Sequence, residues 1–323
     1  MKYILEITTK IGCSNMCEYC PQTKLVKQYM KNAHMHTLND HFNKASDNIH
    51  LEFMEEYLKK DKNRETMMSL ETFKKCLSTI DPSVDIHFSG YVEAFENPHA
   101  IDMVEYAVTK GHVVGINTTL MFVTKEIIDR LAKIGSFKHF SVHTPSATYF
   151  ETIGRIGKTS FLRDDPRDDI RKETGKSISE KYFDLLGYMI EKASAVKAVF
   201  HTHSAPGHGL HPEIEERYGD MMRAIGYKNR GLNSRAGNIG KLTGEALWEN
   251  NWCQRIIHNV LLPDGGVQLC CQDYGLEEPI GNLLHMPYHT LFETKRFKEI
   301  KTVLFSKEIN PKPNLIVIDG GKK

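Results

Sequence analysis

Short apolar runs and amphipathic stretches alternate along most of this 323-residue chain. The first run, Tyr3 to Ile7, is short and apolar and reads as a strand. From Ser69 the alternation becomes regular. Ser69 is placed to cap a helix that carries Leu70, Phe73, Leu77 and Ile80 on one face, with Cys76 as a core or groove thiol. Val84 to Ser89 predicts a strand, Pro98 to Lys110 a helix with Ile101, Val104 and Val108 inward, and Val113 to Asn117 a strand. Helix Thr124 to Ile134 and strand Phe137 to His143 follow, then a helix capped by Ser179 that buries Phe183, Leu186 and Ile190. Strand Val196 to His203, helix Pro212 to Gly226 and a last strand near Tyr227 to Asn233 complete the series. Strands separated by helices imply parallel pairing with right-handed crossovers, hence an α/β, TIM-like sheet whose site lies at the C-terminal strand ends. Gly90, Glu93, Asn117, His143 and Arg235 all fall at such ends.

Three stretches depart from the alternation. Residues 22–68 are rich in Lys, His, Asn and Met; only His50 to Lys60 shows helical spacing, through Leu51, Phe53, Met54, Tyr57 and Leu58. This reads as an insertion with one helix, and its histidines 34, 36, 41 and 50 as solvated loop residues. Ser146 to Lys176 is a charged loop suited to a lid, and its Gly154 to Thr159 lacks the glycine spacing of a phosphate loop. From Trp252 the pattern changes again: Pro-Asp-Gly-Gly at 263–266 between apolar runs predicts a β-hairpin, hence a small C-terminal module over 241–323 after a main domain over 1–240.

Charge narrows the partners. With 42 basic and 41 acidic residues the net charge is +1, so no field of one sign points to nucleic acid or a membrane surface. No apolar stretch reaches the ~18 to 20 residues of a membrane span, and Met1 to Ile11 does not resemble a signal peptide. The seven cysteines are grouped as 13/17/20, 76 and 253/270/271. Without an export signal such groups read as metal ligands in a cytoplasmic protein.

The densest group decides the chemistry. Cys13, Cys17 and Cys20 lie directly after the first predicted strand, where one tight loop can aim three thiolates at a common point. A zinc site or a chance grouping of buried thiols is the plain alternative, but structural zinc takes four ligands, usually as two pairs, and the nearest other cysteine is Cys76. A cubane cluster held by three cysteines leaves one iron open.

CxxxCxxC after the first strand, with Tyr19 before the last cysteine, resembles the cluster loop of the radical S-adenosylmethionine (SAM) superfamily. The resemblance implies a six-stranded partial β/α barrel and a [4Fe-4S] cluster on Cys13, Cys17 and Cys20. It further implies SAM chelated to the open iron and cleaved to a 5′-deoxyadenosyl radical, and an external one-electron reductant of flavodoxin or ferredoxin type. Gly90 and Glu93 match the family's glycine-rich turn and its amine-binding glutamate, while Val92 and Ala94 depart from its usual glycine and proline. Tyr19, Asn117 and His143 are the other expected cofactor contacts. Arg235 resembles the arginine that binds SAM or substrate in the auxiliary-cluster subfamily. His201 and His203 alternate on one face; HxH can chelate zinc, but hydrogen bonding or proton transfer to substrate is the preferred reading.

The C-terminal module resembles the opening of SPASM or twitch auxiliary-cluster domains, with Cys253 and Cys270 brought together by the hairpin. A full SPASM domain has later cysteines and this chain has none after Cys271, so Cys253, Cys270 and Cys271, with Asp273 as a conceivable oxygen ligand, hold a second cluster or the module has lost it. Cys270 and Cys271 share a cluster only if the strand ends or bulges there.

The expected activity is a radical SAM oxidoreductase acting on a small polar metabolite such as a sugar or cyclitol alcohol. An auxiliary cluster that accepts an electron gives oxidation; a thiol such as Cys271 that returns hydrogen gives epimerisation. The alternatives are a ribosomal peptide maturase and a non-catalytic iron–sulfur or SAM-binding scaffold.

Overall fold

In a computed structural model of the chain the residues described are 3–13, 20–33, 66–146, 178–203, 209–230 and 254–305. Nine strands form one sheet in the order β6-β5-β4-β3-β2-β1-β7-β8-β9. They are β1 (Ile4–Ile7), β2 (Asp85–Phe88), β3 (Val114–Thr118), β4 (His139–His143), β5 (Ala198–His203), β6 (Lys228–Arg230), β7 (His258–Leu261), β8 (Gly266–Gln268) and β9 (Pro279–Asn282). From β1 to β6 each strand lies parallel to its sequence neighbour. That unreversed order is the winding of a barrel rather than of a doubly wound sheet, and it does not close. The six predicted strands and their order are therefore present as read.

Six helices and a seventh near the C-terminus are described: α1 (Gln22–Ala33), α2 (Leu70–Leu77), α3 (Ala100–Thr109), α4 (Lys125–Ile134), α5 (Glu180–Val196), α6 (Pro212–Ile225) and α7 (Lys295–Phe305). Caps place their starts. Ser69, Thr124 and Ser179 each accept a bond from the backbone N–H three residues on, at 3.0, 3.3 and 3.2 Å. Leu5, Ile86, Phe88, Ile116, Phe140, Val142 and Phe200 all belong to the main core, with Phe73, Val104, Leu131 and Leu186 from the helices. No helix among the described residues is long and apolar enough to cross a membrane.

Two features differ from the sequence reading. Residues 22–33 are not loose insertion: they form α1, whose Leu25, Val26, Tyr29 and Met30 are buried with Ile11, Tyr91, Val260, Leu262, Tyr274 and Leu276 in a second small core. A paired stripe at i, i+1, i+4, i+5 carries that helix, but its polar composition masked it. The predicted helix at 50–60, the histidines at 34, 36, 41 and 50, and the loop beyond 146 lie outside the described residues.

The C-terminal hairpin is present, and its first strand, β7, pairs parallel to β1 on the sheet's other side, Glu6 opposite Val260. β8 and β9 add antiparallel. Buried Asn259 anchors the join: Nδ2 donates to the Leu269 carbonyl at 2.7 Å, and Oδ1 accepts from the Tyr288 hydroxyl at 2.8 Å.

Candidate active site

The strand registers put Glu6, His87, Gly115, Asn117, His139, Ser141, His143, His201, His203 and Arg230 on one face of the sheet. The alternate positions face the helices. The barrel interior is thus polar and rich in imidazole, where a structural barrel would be filled with branched aliphatics. Gly115 makes room for two of those rings: a Cβ there would stand 2.3 Å from His139 Cε1 and 2.8 Å from His87 Cδ2. Burial holds the His139 ring below its ordinary pKa and pushes His201 down to about 3, with Arg230 adding to both effects.

At the C-terminal ends of β1 to β4 this face opens into a cleft. Cys13, Cys20, Gly90, Glu93, Asn117 and His143 line it, together with Gln22, Tyr91, Thr118, Thr119 and Tyr274. Cys13 is buried and its Sγ accepts the Glu93 backbone N–H at 3.4 Å. Cys20 Sγ accepts from Gln22 Nε2 at 3.5 Å and lies 3.6 Å from the Tyr274 hydroxyl oxygen. Cys17 and Tyr19 lie outside the described residues, as do Arg235 and Cys253.

The turn after β2 is tied tightly to β1. Tyr91 N–H donates to Thr8 Oγ1 at 3.1 Å, Thr9 Oγ1 donates to the Ala94 carbonyl at 2.9 Å, and Asn97 Nδ2 donates to the Thr9 carbonyl at 2.9 Å. Lys10 pairs with Glu96, and Gln22 Nε2 donates to the Tyr91 carbonyl. Gly90 is required by this approach, since a Cβ would stand 2.4 Å from Thr8 Oγ1 and 2.7 Å from the Ile7 carbonyl oxygen.

Glu93 is buried and fully engaged. Its Oε1 accepts from Thr118 Oγ1 at 2.9 Å and Phe95 N–H at 3.4 Å; its Oε2 accepts from Thr119 N–H at 2.6 Å and Thr119 Oγ1 at 2.8 Å. These four donors match the four acceptor directions of a carboxylate. Burial raises its pKa above the ordinary carboxyl value, and the Thr119, Thr118 and Phe95 donors oppose that rise.

The segment after β8 covers the cleft from the C-terminal side. Tyr91 donates through its hydroxyl to the carbonyls of Cys270 and Asp273, at 2.9 and 3.0 Å, and its ring lies 4.8 Å from that of Tyr274. Cys20 and Cys271 pack against the same small core. β8 ends at Gln268, so Cys270 and Cys271 sit in the turn beyond it and the opposition of adjacent strand side chains does not apply to them. Asp273 is already used: its two carboxylate oxygens accept from Glu277 and Glu278 N–H at 3.1 and 2.8 Å.

Sequence reasoning missed Gln22, Thr118, Thr119 and Tyr274. Thr118 and Thr119 carried a signal, two hydroxyls directly after Asn117 at a strand end. Gln22 and Tyr274 carried none, because each reaches Cys20 only through packing.

A solved structure shares this architecture. A crystal structure of BtrN in complex with AdoMet and 2-DOIA matches over 94% of this chain and 87% of its own, at a TM-score of 0.51 and 14% identity. The chain shares the partial-barrel fold of that structure. Weaker likenesses are anSMEcpe with bound AdoMet, at a TM-score of 0.46 and 14% identity over 95% of this chain and 81% of that one, and SuiB of Streptococcus suis bound to S-adenosylmethionine, at 0.46 and 12% over 94% and 68%. No protein-family model matches the sequence, and no curated protein matches it.

Proposed function

We propose that this chain is a radical SAM enzyme acting on a small polar metabolite, a sugar or cyclitol-like alcohol. The observation that carries the reading is the cleft itself, where Cys13 and Cys20 meet Gly90, Glu93, Asn117 and His143 at the C-terminal strand ends of a partial barrel. The residues present fit a [4Fe-4S] cluster held by Cys13, Cys17 and Cys20, since N–H groups of Glu93 and Gln22 already point at the two described sulfurs. When bound there, the cluster and SAM supply hydrogen abstraction by a 5′-deoxyadenosyl radical.

The chain's own residues then position and shield. The Gly90 turn brings backbone close to the cleft, and Glu93 fixes Thr118 and Thr119 on its wall. Asn117 and His143 offer polar atoms to the cofactor, and Tyr274 closes the C-terminal side. Arg235 binds the carboxylate of SAM or vicinal hydroxyls, as an arginine fork suits. Residues 241–323 form an auxiliary module in which Cys253, Cys270 and Cys271 hold a second cluster and accept an electron, giving oxidation, or in which Cys271 returns hydrogen, giving epimerisation. The packing of Cys271 against the same small core as Cys20 supports its place near the chemistry. A flavodoxin or ferredoxin type protein supplies electrons.

A second reading, a non-catalytic iron–sulfur scaffold, is favoured by one observation: Glu93 already satisfies four protein donors, leaving no acceptor direction for a methionyl amine. Anaerobic reconstitution with a strong reductant separates the two. The enzyme forms 5′-deoxyadenosine from SAM, and a Cys13/Cys17/Cys20 triple alanine variant forms none above background; absence of that product in the reconstituted wild type overturns the enzymatic reading. Iron counting on the triple variant tests the second cluster, with roughly four residual irons expected if it is present.

A further inference from the structure

We propose that His143, His201 and His203 form a binding site for a divalent metal of the zinc class, separate from the cysteine loop. The site is built by register. His143 on β4 and His201 on β5 are direct partners in the parallel ladder, and His203 follows two residues later on the same face. Their rings are in contact, with centroids 3.7 Å apart for His143 and His201, 5.1 Å for His143 and His203, and 5.5 Å for His201 and His203. One nitrogen from each lies within 4.8 Å of the others. Tetrahedral zinc with Zn–N bonds of ~2.0–2.1 Å needs nitrogens about 3.3 Å apart.

His201 supplies an independent reason to expect a ligand. It is 1% exposed, and neither of its ring nitrogens has a hydrogen-bond partner among the described residues. Buried polar atoms are nearly always satisfied, and those that are not call for an unseen water, ion or chemical role. A second imidazole pair on this face, His87 and His139 with centroids 4.6 Å apart, brings no third donor with it among the described residues. Three neutral imidazoles suit zinc and its neighbours over the hard oxygen-seeking cations, and three protein ligands leave a fourth position for water or for an oxygen of a bound molecule. His143 also lines the cleft, so that position belongs to the chamber in which substrate is proposed to sit. Metal binding itself rests on the three histidines and not on the proposed reaction.

The test uses the full chain with alanine at Cys13, Cys17 and Cys20 and also at Cys253, Cys270 and Cys271, so that neither proposed thiolate group remains, titrated anaerobically with Zn²⁺ and with Co²⁺. The expected result is one zinc bound per chain through nitrogen, with cobalt giving visible d–d bands free of thiolate-to-cobalt charge transfer. His203→Gln, at a half-buried position, should weaken that binding by at least the ~10–100-fold typical of losing even an outer supporting group. His201→Ala should do the same, with circular dichroism confirming the fold, and His87→Gln should leave it unchanged. Equal zinc affinity with and without His203→Gln in that cysteine-substituted background, or cobalt bands dominated by sulfur charge transfer there, overturns the site. A chain that binds zinc this way yet forms no 5′-deoxyadenosine when its cysteines are intact keeps the metal site and loses the proposed reaction.

Discussion

The two faces of the parallel sheet are built from alternate residues of the same strands and follow opposite rules. On the helix side stand Leu5, Ile86, Phe88, Ile116, Phe140, Val142 and Phe200, all essentially inaccessible and packed into the main core. On the interior side stand Glu6, His87, Asn117, His139, Ser141, His143 and His201. Each of β1 to β5 therefore contributes to both, and a period of two keeps them apart. One face can be read as stability and the other as chemistry, because hydrophobic burial rewards only the first while the second keeps polar groups poised around a shared chamber.

Breaking the outer face should have the largest effect. Phe140→Ala removes a ring that is 1% exposed and packed edge-on to Phe137 at 5.5 Å, and should cost about 3–5 kcal/mol in denaturant unfolding. A cost below about 1 kcal/mol would deny that this face is the core.

A smaller loss tests whether the interior face is packed as closely. Gly115→Ala should force the His87 and His139 rings apart and cost about 1–3 kcal/mol. Adding His139→Ala should recover part of that loss, a coupling that a double-mutant cycle measures.

The gentlest probe is pH. Burial lowers the folded-state pKa of His139, so the unfolded chain binds its proton more readily. This contribution is full above the unfolded value of 6.5 and is lost as pH falls from there through the lowered folded value. His139→Gln should flatten the stability profile in that window; an unchanged slope would show that the ring is not desolvated in solution.

The two cysteine groups make a parallel contrast. Cys13 and Cys20 were legible as a site because CxxxCxxC is a local pattern placed after a strand. The position of Cys271 against the same small core as Cys20 was not, because it depends on β7 docking beside β1, some 250 residues away in sequence. The helix at 22–33 was overlooked for a related reason. Its apolar stripe is short, and what stabilises it is the small core formed by Tyr91, Val260 and Tyr274 from distant parts of the chain.

The chain's own pattern determined the kind and order of the strands and helices from Ser69 to Arg230, since apolar period, serine and threonine caps and turn residues act over a few positions. It also determined the cysteine loop and the candidate residues at strand ends. Only the tertiary structure decided which side chains meet. His143 and His201 face one another because β4 and β5 pair in one register, and a slip of one residue would turn every imidazole of β5 toward the helices. Register is set by the burial of the opposite face, an energy summed over the whole sheet that no local window contains.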